Sequence, residues 1–158
     1  MRRGAMILVS AVVWVAWGCS TTPDPQTQQY YEVALERMVS GHVYAMGCPA
    51  LLPLAEQVLW DQGFSEIQQV DDHRGLRTGW VDADPRTQAS YEVHAHPVGD
   101  QQCAVQFIRR EEGATFIDQR RDVFGEFELL RYIDGAKARE IERQARRQAN
   151  DLANAEEM

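Results

Sequence analysis

Hydrophobic and polar positions divide this chain into stretches of different period. Residues 5–17 are almost wholly apolar, interrupted by Ser10, and follow the cationic pair Arg2 and Arg3. Residues 19–27 are polar, carry Pro23 and Pro25, and read as a tether that buries nothing. Tyr31, Ala34, Leu35 and Met38 then recur at helical spacing with Glu32, Glu36 and Arg37 between them, predicting a helix over 28–39 that ends at Ser40 and Gly41. A second helix follows Gly47, with Ala55, Val58, Leu59 and Gln62 on one face and Gly63 closing it. Pro49 suits its first turn. Pro53 removes a backbone donor, so the regular part is expected to start nearer Pro53.

The middle of the chain changes period. Phe64 to Val70 is weakly patterned, and residues 71–75 are turn-like. Leu76, Thr78 and Trp80 alternate with Arg77 and Gly79; Asp84 and Pro85 mark a break. Ala89, Tyr91, Val93 and Ala95 alternate with Ser90, Glu92, His94 and His96, which predicts a half-buried strand. Residues 97–100 read as a hairpin turn, and Cys103, Val105 and Phe107 alternate on the return. Val123, Phe127 and Leu130 share a helical face, with Phe124 beside them. After a break at Asp134 and Gly135, a narrow stripe of Ala138, Ile141 and Ala145 continues, with Glu142 and Arg146 spaced to pair. Beyond residue 146 no apolar face is evident, and residues 151–158 are expected to be a disordered tail. Helices, strands joined by short turns, then helices again predict an α+β fold, with an antiparallel sheet of about four strands and helices packed on one face. The domain is expected over residues 28–150.

The start of the chain resembles a bacterial lipoprotein signal peptide. Arg2 and Arg3 supply the charged region, residues 5–17 the apolar core, and Ala16, Trp17, Gly18 and Cys19 the lipobox-like end, with Trp17 bulkier than that family's usual small residue. The resemblance implies cleavage after residue 18, lipid on Cys19 and a membrane bond through its acyl chains. Ser20 follows, and in Gram-negative members a residue other than Asp there usually permits sorting to the outer membrane. Ala16 and Gly18 also satisfy the cleavage rule of a soluble exported protein, which would leave Cys19 a free thiol. An uncleaved anchor is disfavoured, because crossing a ~30 Å hydrocarbon layer takes about 20 apolar residues.

A second resemblance rests on residues 58–80. A helix ending at Gly63 and Phe64, a following strand, and the element Thr78, Gly79, Trp80 on a second strand are similar to the helix-grip domains in the lipoprotein C subunit of the outer-membrane β-barrel assembly machinery. It implies a fold and carries over no functional residue.

Charge and cysteine count narrow the compartment. Cleavage removes Arg2 and Arg3, leaving 14 basic and 24 acidic residues and a formal charge of −10 with histidines neutral. So acidic a chain argues against nucleic acid and against electrostatic docking on anionic lipid. With Cys19 assigned to lipid, Cys48 and Cys103 remain. In an oxidising compartment two such thiols pair, closing a loop of 55 residue steps worth ~3–4 kcal/mol. Two separate buried thiols are the alternative.

Candidate chemistry is sparse. Glu92, His94 and His96 project from one strand face and form the sharpest metal-type constellation, yet no fourth ligand accompanies them, and a solvated strand face explains them better. Asp71, Asp72 and His73 suggest a solvated turn more than acid–base work. No G-x-S-x-G, P-loop or G-x-G-x-x-G element occurs. Tyr30, Tyr31, Tyr44, Trp60 and Trp80 could serve a partner surface, but most are expected in the core. The helix over 136–150 could dock on another protein or pack on its own sheet. No catalytic residue, cofactor or metal is expected. The reading is a non-enzymatic, lipid-anchored envelope protein with a protein partner. A ligand- or metal-binding domain using Glu92, His94 and His96 is the alternative.

Overall fold

A computed structural model describes residues 24–70 and 74–156. The leader, Cys19, the turn residues Asp71, Asp72 and His73, and the last two residues lie outside them. In chain order the elements are α1 (Pro25–Val39), β1 (Val43–Tyr44), α2 (Cys48–Asp61), β2 (Gln68–Val70), β3 (Gly75–Arg77) and β4 (Val81–Asp84). There follow β5 (Thr87–Gly99), β6 (Gln102–Gly113), β7 (Ile117–Arg121), α3 (Val123–Ile133) and α4 (Gly135–Glu156).

The fold is α+β, with an antiparallel sheet of seven strands among the described residues rather than about four. The long hairpin of β5 and β6 forms its spine. β3 and β4 pair with different halves of β5, β2 extends β3, and β1 and β7 pair with opposite ends of β6. The three strands without a sequence signal are short and flank the spine. Val81–Asp84 and Ile117–Arg121 bury almost no side chain, so no alternation marks them. Alternation does locate the spine: Ala89, Tyr91, Val93 and Ala95 are buried, as are Cys103, Val105 and Phe107.

α2 and α3 pack against this buried face, and α1 and α4 pack on each other beside α3. Two caps explain the helix starts. Asp24 accepts from the Gln26 and Thr27 amides at 3.2 and 3.3 Å, with Pro25 in the first turn. α1 therefore starts three residues before the predicted boundary, inside the expected tether. Asp122 caps α3 through the Phe124 and Gly125 amides at 3.0 and 3.2 Å.

α2 begins at Cys48 and holds Pro53 within it, five residues earlier than the proline argument suggested. Pro53 is exposed, on the outer side of a helix that continues through it. The helix ends in a Schellman motif. The Phe64 amide donates to the Leu59 carbonyl at 3.0 Å and the Gly63 amide to that of Trp60 at 2.9 Å, with Gly63 at φ +88°. Strand β3 stops at Arg77, so Thr78, Gly79 and Trp80 follow it instead of lying on it.

α4 continues to Glu156, through residues expected to be a disordered tail. Its seam is the predicted stripe of Ala138, Ile141 and Ala145, carried one turn further by Ala149, a residue too small to extend the stripe by periodicity. Tyr30 and Gln26 on α1 both hydrogen-bond the Glu156 carboxylate, so the start of α1 meets the end of α4. Glu142 and Arg146 pair as predicted, at 2.9 Å, and the Arg146 guanidinium lies 5.2 Å from the Tyr31 ring centroid. Cys48 and Cys103 are joined as a disulfide that ties the start of α2 to β6.

Side chains fill two gaps in the main-chain ladders. Between β3 and β4, buried Thr78 accepts the Tyr91 amide on its hydroxyl at 2.8 Å, while its own amide donates to the Tyr91 carbonyl at 3.0 Å. Between β1 and β7, the Phe107 amide donates to the buried Glu126 carboxylate at 3.2 Å, and Phe107 accepts the Asp122 amide at 2.8 Å. Glu126 also receives Arg121 in a two-pronged pair, both contacts at 2.7 Å. Gly125 lets α3 approach this closely, since a Cβ there would lie 2.9 Å from the Phe107 ring.

Candidate functional site

Among the described residues a cleft of about 850 Å³ lies between α1 and the β6–β7 end of the sheet. That size suits a ligand or a partner side-chain cluster. One face of α1 supplies Glu32, Val33 and Glu36; the sheet supplies Tyr91, Arg109 and Arg120; Phe64 and Phe124 add apolar wall. Val33 and Phe124 are exposed.

Most polar groups of the floor are paired within the fold, and buried Arg109 Nε meets its carboxylate as an ion pair without an aligned hydrogen bond. The Tyr91 hydroxyl donates to Asp122, the cap of α3. Arg109 Nε lies 2.7 Å from Glu111 Oε1, and Arg120 Nη2 lies 3.5 Å from the same oxygen. Arg121 is neutralised by Glu126, whose hydrogen bonds raise the guanidinium pKa. The cleft therefore presents apolar wall, the α1 carboxylates, the exposed Arg120 guanidinium and one open border of β7. These groups suit recognition of another molecule. Sequence periodicity could not find the cleft, because its residues come from five separate segments.

Burial, and then the hydrogen bond to Asp122, raises the Tyr91 pKa; burial raises that of Tyr44. Each phenol holds its proton more tightly folded than unfolded. Its contribution is complete below the unfolded value of about 10 and is lost as pH rises toward the folded value. Urea midpoints are expected to fall between about pH 9 and pH 11, and Tyr91→Phe to flatten that fall. An unchanged slope in Tyr91→Phe would count against this account of Tyr91.

The Glu92, His94 and His96 face is assembled as the alternation predicts, on the sheet surface away from α2 and α3. The two imidazoles stack with centroids 6.4 Å apart. Glu92 is engaged elsewhere: its Oε1 lies 3.2 Å from Arg77 Nε and 3.1 Å from Arg110 Nη1, while His94 Nε2 is 3.7 Å from Oε2. Two guanidiniums on one carboxylate leave little charge for a cation. Among the described residues no group of three His, Cys, Asp or Glu side chains is placed to hold a metal ion.

Comparison with protein-family models and with curated proteins finds no match to this chain.

The aromatic residues divide differently from expectation. Tyr44 is buried and Tyr31 half-buried, but Trp60 and Trp80 are 50% and 42% exposed. Trp60 follows the buried Val58 and Leu59 around α2 onto its outer side. Trp80 lies beside Arg110, whose guanidinium is 5.9 Å from the ring centroid. Among the described residues no helix is long and apolar enough to cross a membrane.

Proposed function

We propose that this chain is a non-enzymatic cell-envelope lipoprotein, cleaved after residue 18, acylated at Cys19 and acting as an interaction or assembly module, with sorting to the outer membrane. The observation that carries the reading is the disulfide. Cys48 and Cys103 are bonded to each other across 55 positions, which fits export to an oxidising compartment and leaves Cys19, at the end of the leader-like segment, as the remaining thiol. Cys19 lies five residue steps from the α1 cap at Asp24, a reach of at most about 18 Å. The joined ends of α1 and α4 would then be held near the membrane. The cleft, with its apolar walls and structurally engaged polar floor, supports a recognition role.

Fractionation of cells expressing the full chain tests this. The protein is expected in the membrane fraction, with Cys19→Ser releasing it, and solubilised wild type is expected to purify with a stoichiometric protein. A wild type that stays soluble, or that carries a small molecule and no protein, would overturn the reading.

A further inference from the structure

β7 borders the cleft and, among the described residues, pairs only with β6. Two hydrogen bonds set its parity. The Gly113 amide donates to the Phe116 carbonyl at 3.0 Å, and the Asp122 amide to that of Phe107 at 2.8 Å. Bonded and non-bonded pairs alternate along an antiparallel ladder. Asp118 and Arg120 therefore turn their main-chain groups toward β6, while Ile117, Gln119 and Arg121 turn theirs to the open side.

The side chains of β7 are poorly matched to β6. Arg120 stands opposite Arg109, and Asp118 opposite Glu111. Like charges directly across a ladder are destabilising, and the diagonal Arg120–Glu111 contact at 3.5 Å offsets this only in part. The same strand is well matched to itself. In a two-fold antiparallel pair, the open-side groups can bond with either Asp118, Gln119 or Arg120 on the axis. An axis at Asp118 sets carboxylate against carboxylate, and one at Arg120 sets guanidinium against guanidinium. An axis at Gln119 pairs all five residues and places Asp118 opposite Arg120 of the second copy, twice.

We propose that β7 is a homotypic pairing edge, joining two copies of this chain across Gln119. The contact provides about six main-chain hydrogen bonds. Its small area makes a concentration-dependent dimer. This pairing does not depend on acylation of Cys19, so it stands or falls separately from the proposed anchor.

Cross-linking of the full chain in intact cells tests it. Gln119→Cys brings two introduced thiols together at a Cα separation of about 5.5 Å, within disulfide range. After copper-catalysed oxidation, non-reducing gels should show a covalent dimer absent from the chain without the added cysteine. Ile117→Cys and Arg121→Cys should give at least ~5-fold less, because like positions then lie about 13 Å apart. In the Gln119→Cys background, Asp118→Arg or Arg120→Asp alone should cut the yield about 5-fold, and the two together should restore it. Neither change should lower the thermal midpoint, since each replaces a like pair within the sheet by an unlike one. Absence of the dimer, equal yields at all three positions, failure of the double exchange to rescue, or an adduct of another mass would overturn the proposal.

Discussion

Replacing both Cys48 and Cys103 with alanine is expected to lower the unfolding free energy by about 4 kcal/mol. The bond closes a loop of 55 residue steps, and its loss frees that loop in the unfolded ensemble. The loop holds α2 and the strands from β2 through β5, so the crosslink restrains much of the sheet's assembly. Both cysteines are buried, Cys103 completely, which is why alanine is chosen over serine: a buried hydroxyl without a partner would add its own cost. A domain with a total stability of about 5–15 kcal/mol would lose a quarter or more of it. Urea titration of the oxidised wild type, the reduced wild type and the double variant measures this. The last two should agree with each other and lie well below the first. A difference under about 1 kcal/mol would show that the unfolded chain gains little freedom from the cut.

Removing the Glu126 carboxylate with Glu126→Ala is expected to cost about 3–5 kcal/mol. Two groups lose their partner at once. The Phe107 amide, on a fully buried residue, no longer has an acceptor, and Arg121 keeps its charge with the opposing carboxylate gone. The Arg121 side chain is 28% exposed and can turn partly to water, which places the expected value toward the lower end. Glu126→Gln keeps an acceptor for the amide and should fall between wild type and alanine. Hydrogen exchange gives the local readout: the Phe107 amide should lose protection in Glu126→Ala and retain most of it in Glu126→Gln. If alanine stays within about 0.5 kcal/mol of wild type, the ladder gap at Phe107 is closed by something other than this side chain.

What could be read from the chain follows from how each element is buried. β5 and β6 alternate because one face of each lies under helices, so Tyr91, Val93, Val105 and Phe107 are legible as core. β4 and β7 have no buried face and hence no alternation; only their pairing partners reveal them. Asp24 and Pro25 form a helix start, but a polar run beside them makes the same residues look like tether. The last turns of α4 pack through Ala149, a residue too small to register as a stripe among charged neighbours. Trp60 and Trp80 violate the rule that large aromatics go inside, one by helical phase and one by its place beside Arg110 on the solvent side of the sheet. Glu126 was invisible because nothing in its local sequence separates a buried carboxylate from the exposed Glu residues common on helices. The site was least legible of all. The cleft and the mismatched charges of β7 arise from register between distant segments, which periodicity within one segment does not encode.

Cys19 is the proposed point of attachment, and the mass of the mature N-terminal fragment tests that most directly. Protein isolated from the envelope and cleaved by protease should yield a fragment that begins at Cys19 and carries the mass of a diacylglyceryl group, with or without a further acyl chain on its amine. A fragment that begins at Cys19 without added mass, or one that still contains residues 1–18, would contradict it.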